Sequence, residues 1–274
     1  MSDAAISAVR AFWDARPCNL RHSPEPIGER TYFDEVEARK YFVEPHIPRF
    51  ADFARWRGKR VLEIGCGIGT DTISFARAGA FVTAVDLSPR SLEIARERAR
   101  VFGCTNVRFY EANAEDLQSV VPLEAYDLVY SFGVLHHTPR PDAALRQLRA
   151  YVAPDGCLKL MLYHRFSAKT LGILARSRRL DLWNVDEIVA EASEAQSGCP
   201  ITYTFSRRRA RALLEAASFA PVAVRVEHIF PFVVEEYVRY RYLRAWPWRA
   251  LPEPVFRAVE RQLGWHLCLT AAPR

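Results

Sequence analysis

Lysine is nearly missing from this chain of 274 residues: it stands only at positions 40, 59, 159 and 169, so 34 of the 38 basic residues are arginine. The arginines are interleaved with 32 acidic residues, and the formal charge of +6 is spread along the chain rather than massed. Binding driven by phosphate neutralisation needs a basic patch or tail. The one dense group, Arg207-Arg208-Arg209 with Arg211, begins an expected helix and reads as a solvated face. No RNA-binding module is evident, so a nucleic-acid partner is disfavoured. Long apolar runs are also missing: nothing approaches the roughly eighteen residues of a membrane span. The opening Met1-Ser2-Asp3-Ala4-Ala5 has neither the basic start nor the apolar stretch of a secretory signal. A cytoplasmic location without membrane association is expected. The six cysteines, at 18, 66, 104, 157, 199 and 268, show no Cys-x-x-Cys spacing, hence no disulfide framework and no metal site. No internal repeat or low-complexity tract occurs.

What the chain does contain is a hydrophobic half, 50% of its residues, and one concentrated signal. Val61-Leu-Glu-Ile-Gly-Cys-Gly-Ile-Gly-Thr70 followed by Phe81-Val-Thr-Ala-Val-Asp86 reads as a buried strand, a glycine-rich turn, a helix, and a second buried strand ending in a carboxylate. That is the opening βαβ unit of a nucleotide-binding α/β fold. Glycines at 65, 67 and 69 let the backbone approach a ligand and permit positive φ. Asp86 is placed to accept from a ribose diol. Position 70 is threonine where a dinucleotide fingerprint would have glycine. Glu63 lies inside the first strand, where a carboxylate would not help a pyrophosphate but would suit a cationic ligand bearing an amino acid.

The pattern Val-Leu-Glu-Ile-Gly-Cys-Gly-x-Gly resembles the first motif of class I S-adenosylmethionine (SAM) dependent methyltransferases, and four further segments follow in that family's order. Ser88-Pro89 opens an amphipathic helix through about Phe102. Val107 to Tyr110 is a third strand, followed by Asn113-Ala-Glu-Asp-Leu117. Tyr126 to Tyr130 is a fourth, followed by Ser131-Phe-Gly-Val-Leu-His-His137. Gly156 to Tyr163 is a fifth, after Pro154-Asp155 as a turn. A helix at 207–217 and strands at 222–226 and 266–271 complete the core less specifically. The resemblance implies a doubly wound, mostly parallel seven-stranded sheet with helices on both faces and helical cap insertions. The segments divide as an N-terminal cap (1–57), the SAM-binding core (58–164), a helical insertion (165–205) and a C-terminal completion (206–274) with an aromatic-rich stretch at 230–263. That stretch fits a substrate lid, a homodimer surface or simple packing.

The family's motifs assign Glu63, Gly65, Cys66, Gly67 and Gly69 to the methionine side of SAM and Asp86 to its ribose, with Leu87 beside it. Leu87, like Ile64 and Val85, also reads as ordinary core. Asn113, where the family has an acid, takes the adenine with Ala114 and Glu115, and Ser131, Phe132 and His136 form the back wall. An N-terminal segment often covers the pocket in this family, which makes Tyr32, Arg39 and Tyr41 candidate substrate contacts, alongside the reading that they only pack. Because SAM is already activated, an enzyme mainly positions the nucleophile and removes a proton where needed. The candidates for that are His137, Tyr163 and His164, with His136 more in keeping with a wall; an amine or thiol acceptor needs no dedicated base. No Asn-Pro-Pro-Tyr follows the fourth strand, which argues against adenine and glutamine-amide methylation. The strand end resembles small-molecule enzymes of the ubiquinone-biosynthesis type, and the implied activity is methyl transfer to an N, O, S or C nucleophile, in keeping with secondary metabolism. Cyclisation of the SAM aminobutyrate arm with release of methylthioadenosine, RNA methylation, and SAM binding without catalysis are the alternatives.

Overall fold

Seven strands form a single sheet: β1 (Arg60–Ile64), β2 (Phe81–Asp86), β3 (Val107–Glu111), β4 (Tyr126–Phe132), β5 (Val152–Tyr163), β6 (Phe219–Glu227) and β7 (His266–Pro273). The structure is a computed structural model and describes residues 2–177, 184–192 and 198–274. Strand order is β3-β2-β1-β4-β5-β7-β6. All neighbours pair in parallel except β7, which runs antiparallel to both β5 and β6. The central strands are covered on both faces, which is why they read as continuous apolar runs rather than alternating ones. On β1, Leu62 joins the cluster of Val129, Leu160 and Leu267 on one face, while Val61 joins Val82, Leu128 and Tyr130 on the other.

The helices are α1 (Ser2–Ala15), α2 (Arg30–Val43), α3 (His46–Ala51), α4 (Thr70–Arg77), α5 (Pro89–Val101), α6 (Pro141–Tyr151), α7 (Ala168–Ser177), α8 (Val185–Ala192), α9 (Arg207–Ala216), α10 (Val234–Tyr237) and α11 (Glu253–Leu263). Helix α5 starts as its sequence requires. The Ser88 hydroxyl accepts the Ser91 N–H at 3.0 Å, and Pro89 occupies the first helical position, where its missing N–H costs nothing. Pro45 separates α2 from α3. The N-terminal cap begins with α1, fastened across the β2–α5 junction: Asp14 accepts from the Ser88 hydroxyl at 2.8 Å and the Arg90 N–H at 3.0 Å, and Arg10 pairs with Glu111.

Two strand boundaries differ from expectation. β5 begins at Val152, and Pro154-Asp155 forms a bulge inside it: Tyr126 pairs with Val152, but Leu128 pairs with Cys157. The bulge closes because Gly156 brings bare backbone against β4; a Cβ there would lie 2.7 Å from the Tyr126 carbonyl oxygen. β6 runs from Phe219 rather than 222, and it tolerates Pro221 because it is the edge strand. The helical insertion expected at 165–205 contains α7 and α8, and its residues 178–183 and 193–197 lie outside the described residues.

Candidate functional site

A cavity of about 230 Å³ opens at the carboxyl ends of β1, β2 and β4. Its floor is the glycine turn. Gly65 (φ +75) abuts Val134 so closely that a Cβ would fall 2.1 Å from a Val134 methyl, which makes it a packing glycine. Gly67 is different: its φ is +52, and an added Cβ would meet nothing within 4 Å. Its N–H donates to Asp86 Oδ2 at 2.7 Å, and the Ser88 N–H donates to Oδ1 at 2.9 Å. A carboxylate offers about four acceptor positions, so Asp86 keeps lone pairs for a diol. Burial raises the Asp86 carboxyl, and the N–H donors of Ser88 and Gly67 oppose that rise. Asn113 caps its own turn by accepting the Glu115 N–H at 3.0 Å. Cys66, Leu87, Asn113, Ala114 and Phe132 also line the cavity.

The roof comes from α1, whose Ile6, Val9 and Trp13 face inward, and from Lys40 on α2. At the far wall stand His137, Tyr163 and His266. His137 Nδ1 lies 2.8 Å from the Ile201 carbonyl oxygen, an acceptor, so Nδ1 carries the proton and the basic lone pair is on Nε2. Its ring meets Trp13 edge-on at 5.2 Å. Tyr163 lies between the tilted rings of His136 and Trp265, with centroids at 3.7 and 4.1 Å.

Several residues named from the sequence stand elsewhere. Glu63 lies beneath the turn and accepts from Thr72 at 2.5 Å; burial, then the neighbouring Asp71 carboxylate, pushes its carboxyl up to about 8. Gly69 precedes α4 and packs it on α5, where a Cβ would lie 3.0 Å from that of Ala95. Glu115 ties down the loop after β4 through the Arg140 N–H at 2.7 Å and through Thr138. Ser131 and His136 are fully buried, and the Ser131 hydroxyl and both His136 ring nitrogens have no hydrogen-bond partner among the described residues. His164 points the other way along β5 from Tyr163, with Nδ1 3.1 Å from the Gly264 carbonyl oxygen. None of these six lines the cavity.

The three N-terminal candidates do not line the cavity. The Tyr32 hydroxyl donates to the Leu20 carbonyl at 2.9 Å, in a cluster with Phe33 and Ile68. Tyr41 donates to Asp71 at 3.0 Å. Arg39 sits between the Tyr237 and Tyr240 rings, 4.2 and 4.1 Å from their centroids, and pins the aromatic segment to α2. The helix turns Lys40, between two of these candidates, toward the cavity, where its ammonium pairs with Asp71 at 2.7 Å. Burial alone would lower Lys40, but the Asp71 contact raises it above its ordinary value. Sequence reading also passed over Trp13, Glu44 and His266. Trp13 stands next to Phe12, but no motif marks any of the three.

Residues 61–156 match the family profile described as a methyltransferase domain. These residues form a methyltransferase domain. Over 128 residues the chain is 39% identical to a ubiquinone biosynthesis O-methyltransferase of Neisseria meningitidis serogroup C, covering 46% of this chain and 50% of that protein. It is 31% identical over 171 residues to an uncharacterized protein of Synechococcus sp., covering 60% of this chain and 38% of the other. The chain thus spans about half the length, or less, of the curated relatives it matches. Its fold is that of the magnesium protoporphyrin IX methyltransferase of Synechocystis PCC 6803 with bound S-adenosylhomocysteine: TM-score 0.60 at 17% identity, over 98% of this chain and 100% of the other. Among the described residues, no helix is long and apolar enough to cross a membrane.

Proposed function

We propose that the chain transfers the SAM methyl group to a small-molecule nucleophile held under α1, with the adenosine half of SAM along Asp86, Asn113 and Ala114. The observation that carries this reading is the continuity of one roofed cavity from Asp86 to the His137–Tyr163 wall. A roof of Ile6, Val9 and Trp13 suits a compact acceptor with apolar surface better than a folded macromolecule. His137 is suited to take the acceptor's proton at Nε2, because the Ile201 carbonyl holds its other nitrogen. The oxygen, nitrogen or sulfur lone pair then bonds to the methyl carbon as the carbon–sulfonium bond breaks, and S-adenosylhomocysteine leaves. Enclosure excludes water and sets the line of attack. His164, on the other side of β5, has no part in this step.

The test is incubation with SAM, alone and with a panel of phenols, thiols and amines, followed by product analysis. S-adenosylhomocysteine formed only with an acceptor is expected, and His137→Asn should lower turnover on phenols by about 100-fold or more while sparing SAM affinity. Methylthioadenosine from SAM alone would replace methyl transfer by cyclisation, and no turnover with any acceptor would refute the reading.

A further inference from the structure

A group of ionisable side chains stands at the His266 end of the cavity and takes no part in the roles assigned above. Glu44 follows α2, His46 opens α3, His228 follows β6 and His266 opens β7. One donor atom from each of Glu44, His228 and His266 lies within 4.8 Å of the other two. His266 Nδ1 meets His46 Nε2 at 2.9 Å, and His266 Nε2 lies 3.6 Å from a Glu44 carboxylate oxygen. The three histidines are each more than nine-tenths buried, with 4%, 7% and 4% exposure for His46, His228 and His266. Glu44 and His266 line the same cavity as Asp86.

A second, independent observation comes from the backbone. His228 has φ +67, the left-handed region that a residue with a Cβ adopts only when its surroundings hold it there. Two bonds do so: the Trp265 N–H donates to the His228 carbonyl at 2.7 Å, and the Ile229 N–H donates to Glu260 at 3.2 Å. Backbone strain, burial and three long-range segments thus converge on one small polar cluster. Of the cations near the cluster, Lys40 is paired with Asp71, and Lys169 rests over the Trp265 ring at 4.5 Å.

We propose that Glu44, His228 and His266 bind one divalent transition-metal ion with an open coordination position toward the cavity. Two imidazoles and a carboxylate form the donor set of mononuclear zinc and iron(II) sites that leave room for substrate. His46 is a positioning residue: by accepting the Nδ1–H of His266, it fixes the tautomer whose Nε2 lone pair faces the ion. Resting on the methyl-transfer reading, the ion selects an acceptor with a hydroxyl or thiol. It binds the oxygen or sulfur and acidifies it, and the proton passes to His137 Nε2 as in that reading. The retained lone pair forms the bond to the methyl carbon as the carbon–sulfonium bond breaks, and the donor sulfur becomes an uncharged thioether.

The intact protein, freed of metal by a chelator, is titrated with cobalt(II), whose visible absorption reports ligand number and geometry. One equivalent should bind, and affinity should fall by about 100-fold in His228→Asn and in Glu44→Gln, and by about 10-fold with shifted bands in His46→Phe. Asparagine tolerates the left-handed backbone, so His228→Asn spares the local conformation. Circular dichroism of the cobalt-free proteins checks folding, and if His228→Asn is unfolded, Glu44→Gln carries the comparison. No cobalt uptake by the wild-type protein, or equal uptake by the folded variants, overturns the site. The two readings fail separately. Cobalt bound at these residues with no methylated product would refute methyl transfer and leave the site standing; methylation unaffected by chelator, with no cobalt uptake, would remove the site alone.

Discussion

Replacing Gly67 with alanine separates the requirements of the fold from those of the ligand. In the free protein the new methyl group meets nothing within 4 Å, so no clash arises. The penalty is conformational: φ +52 is left-handed, and a Cβ there costs about 1–2 kcal/mol. The unfolding free energy should drop by that amount and no more. With SAM present the same methyl occupies cavity space, and overpacking a fitted contact costs about 1–3 kcal/mol more. At 1.4 kcal/mol per factor of ten, SAM affinity should weaken by about 5- to 150-fold, and valine should do worse. Gly65→Ala is the control: its Cβ would fall 2.1 Å from Val134, so the loss there should be mainly in folding. Urea unfolding measures the first quantity and titration calorimetry the second. If Gly67→Ala binds SAM as the wild type does while losing the expected stability, the open space beside Gly67 is not where SAM lies.

Two further outcomes follow from other parts of the molecule. Trp13→Ala removes the indole that meets His137 edge-on at 5.2 Å and opens the roof over the acceptor; turnover should fall at least tenfold more than SAM affinity, and equal losses in steady-state kinetics and calorimetry would place Trp13 against SAM instead. His228 titrates at about 3 when folded against 6.5 as its ordinary value, so below pH 6.5 the unfolded chain binds a proton that the folded one refuses. Stability is therefore lost as pH falls, by at most about 1.4 kcal/mol per unit. Glu63, raised to about 8, acts in the opposite sense, so the wild type should be compared with His228→Asn in urea between pH 7.5 and 5.5. The gap between the two should narrow or reverse on acidification, and a constant gap would show that His228 takes up its proton in the folded state.

Most of the sheet was legible because its signals are local. A strand, a glycine turn, a capped helix and a terminal acid all fall between Val61 and Asp86, and Ser88-Pro89 declares its helix within three residues. Asp86 and Gly67 were readable for the same reason: strand ends and glycine turns fix where their groups must point. Side-chain direction elsewhere depends on packing that no short window contains. Tyr32, Arg39 and Tyr41 share α2 with Lys40, yet only Lys40 lines the cavity; the Leu20 and Tyr237 carbonyls hold Tyr32 and Arg39, and Tyr41 lies against Ser74 as well as Asp71. His164 differs from Tyr163 by one step along β5, and one step reverses the face. Glu44, His228 and His266 come together only when β7 runs antiparallel beside β5, and no periodicity announces a contact across 220 residues such as that of His46 with His266.

Helix α1 is joined to the core by few bonds, and two of them end on Ser88 and Arg90, immediately after the acid that receives the ribose in the proposed pose. The cover and the cofactor cradle are therefore mechanically in series. A ligand that steadies the turn at Asp86 also steadies the anchor of α1, and release requires that anchor to yield. The free energy of this local opening, rather than the contacts of the ligand alone, would set the residence time of S-adenosylhomocysteine. The dissociation rate should then respond to changes at Asp14, a side chain that does not line the cavity.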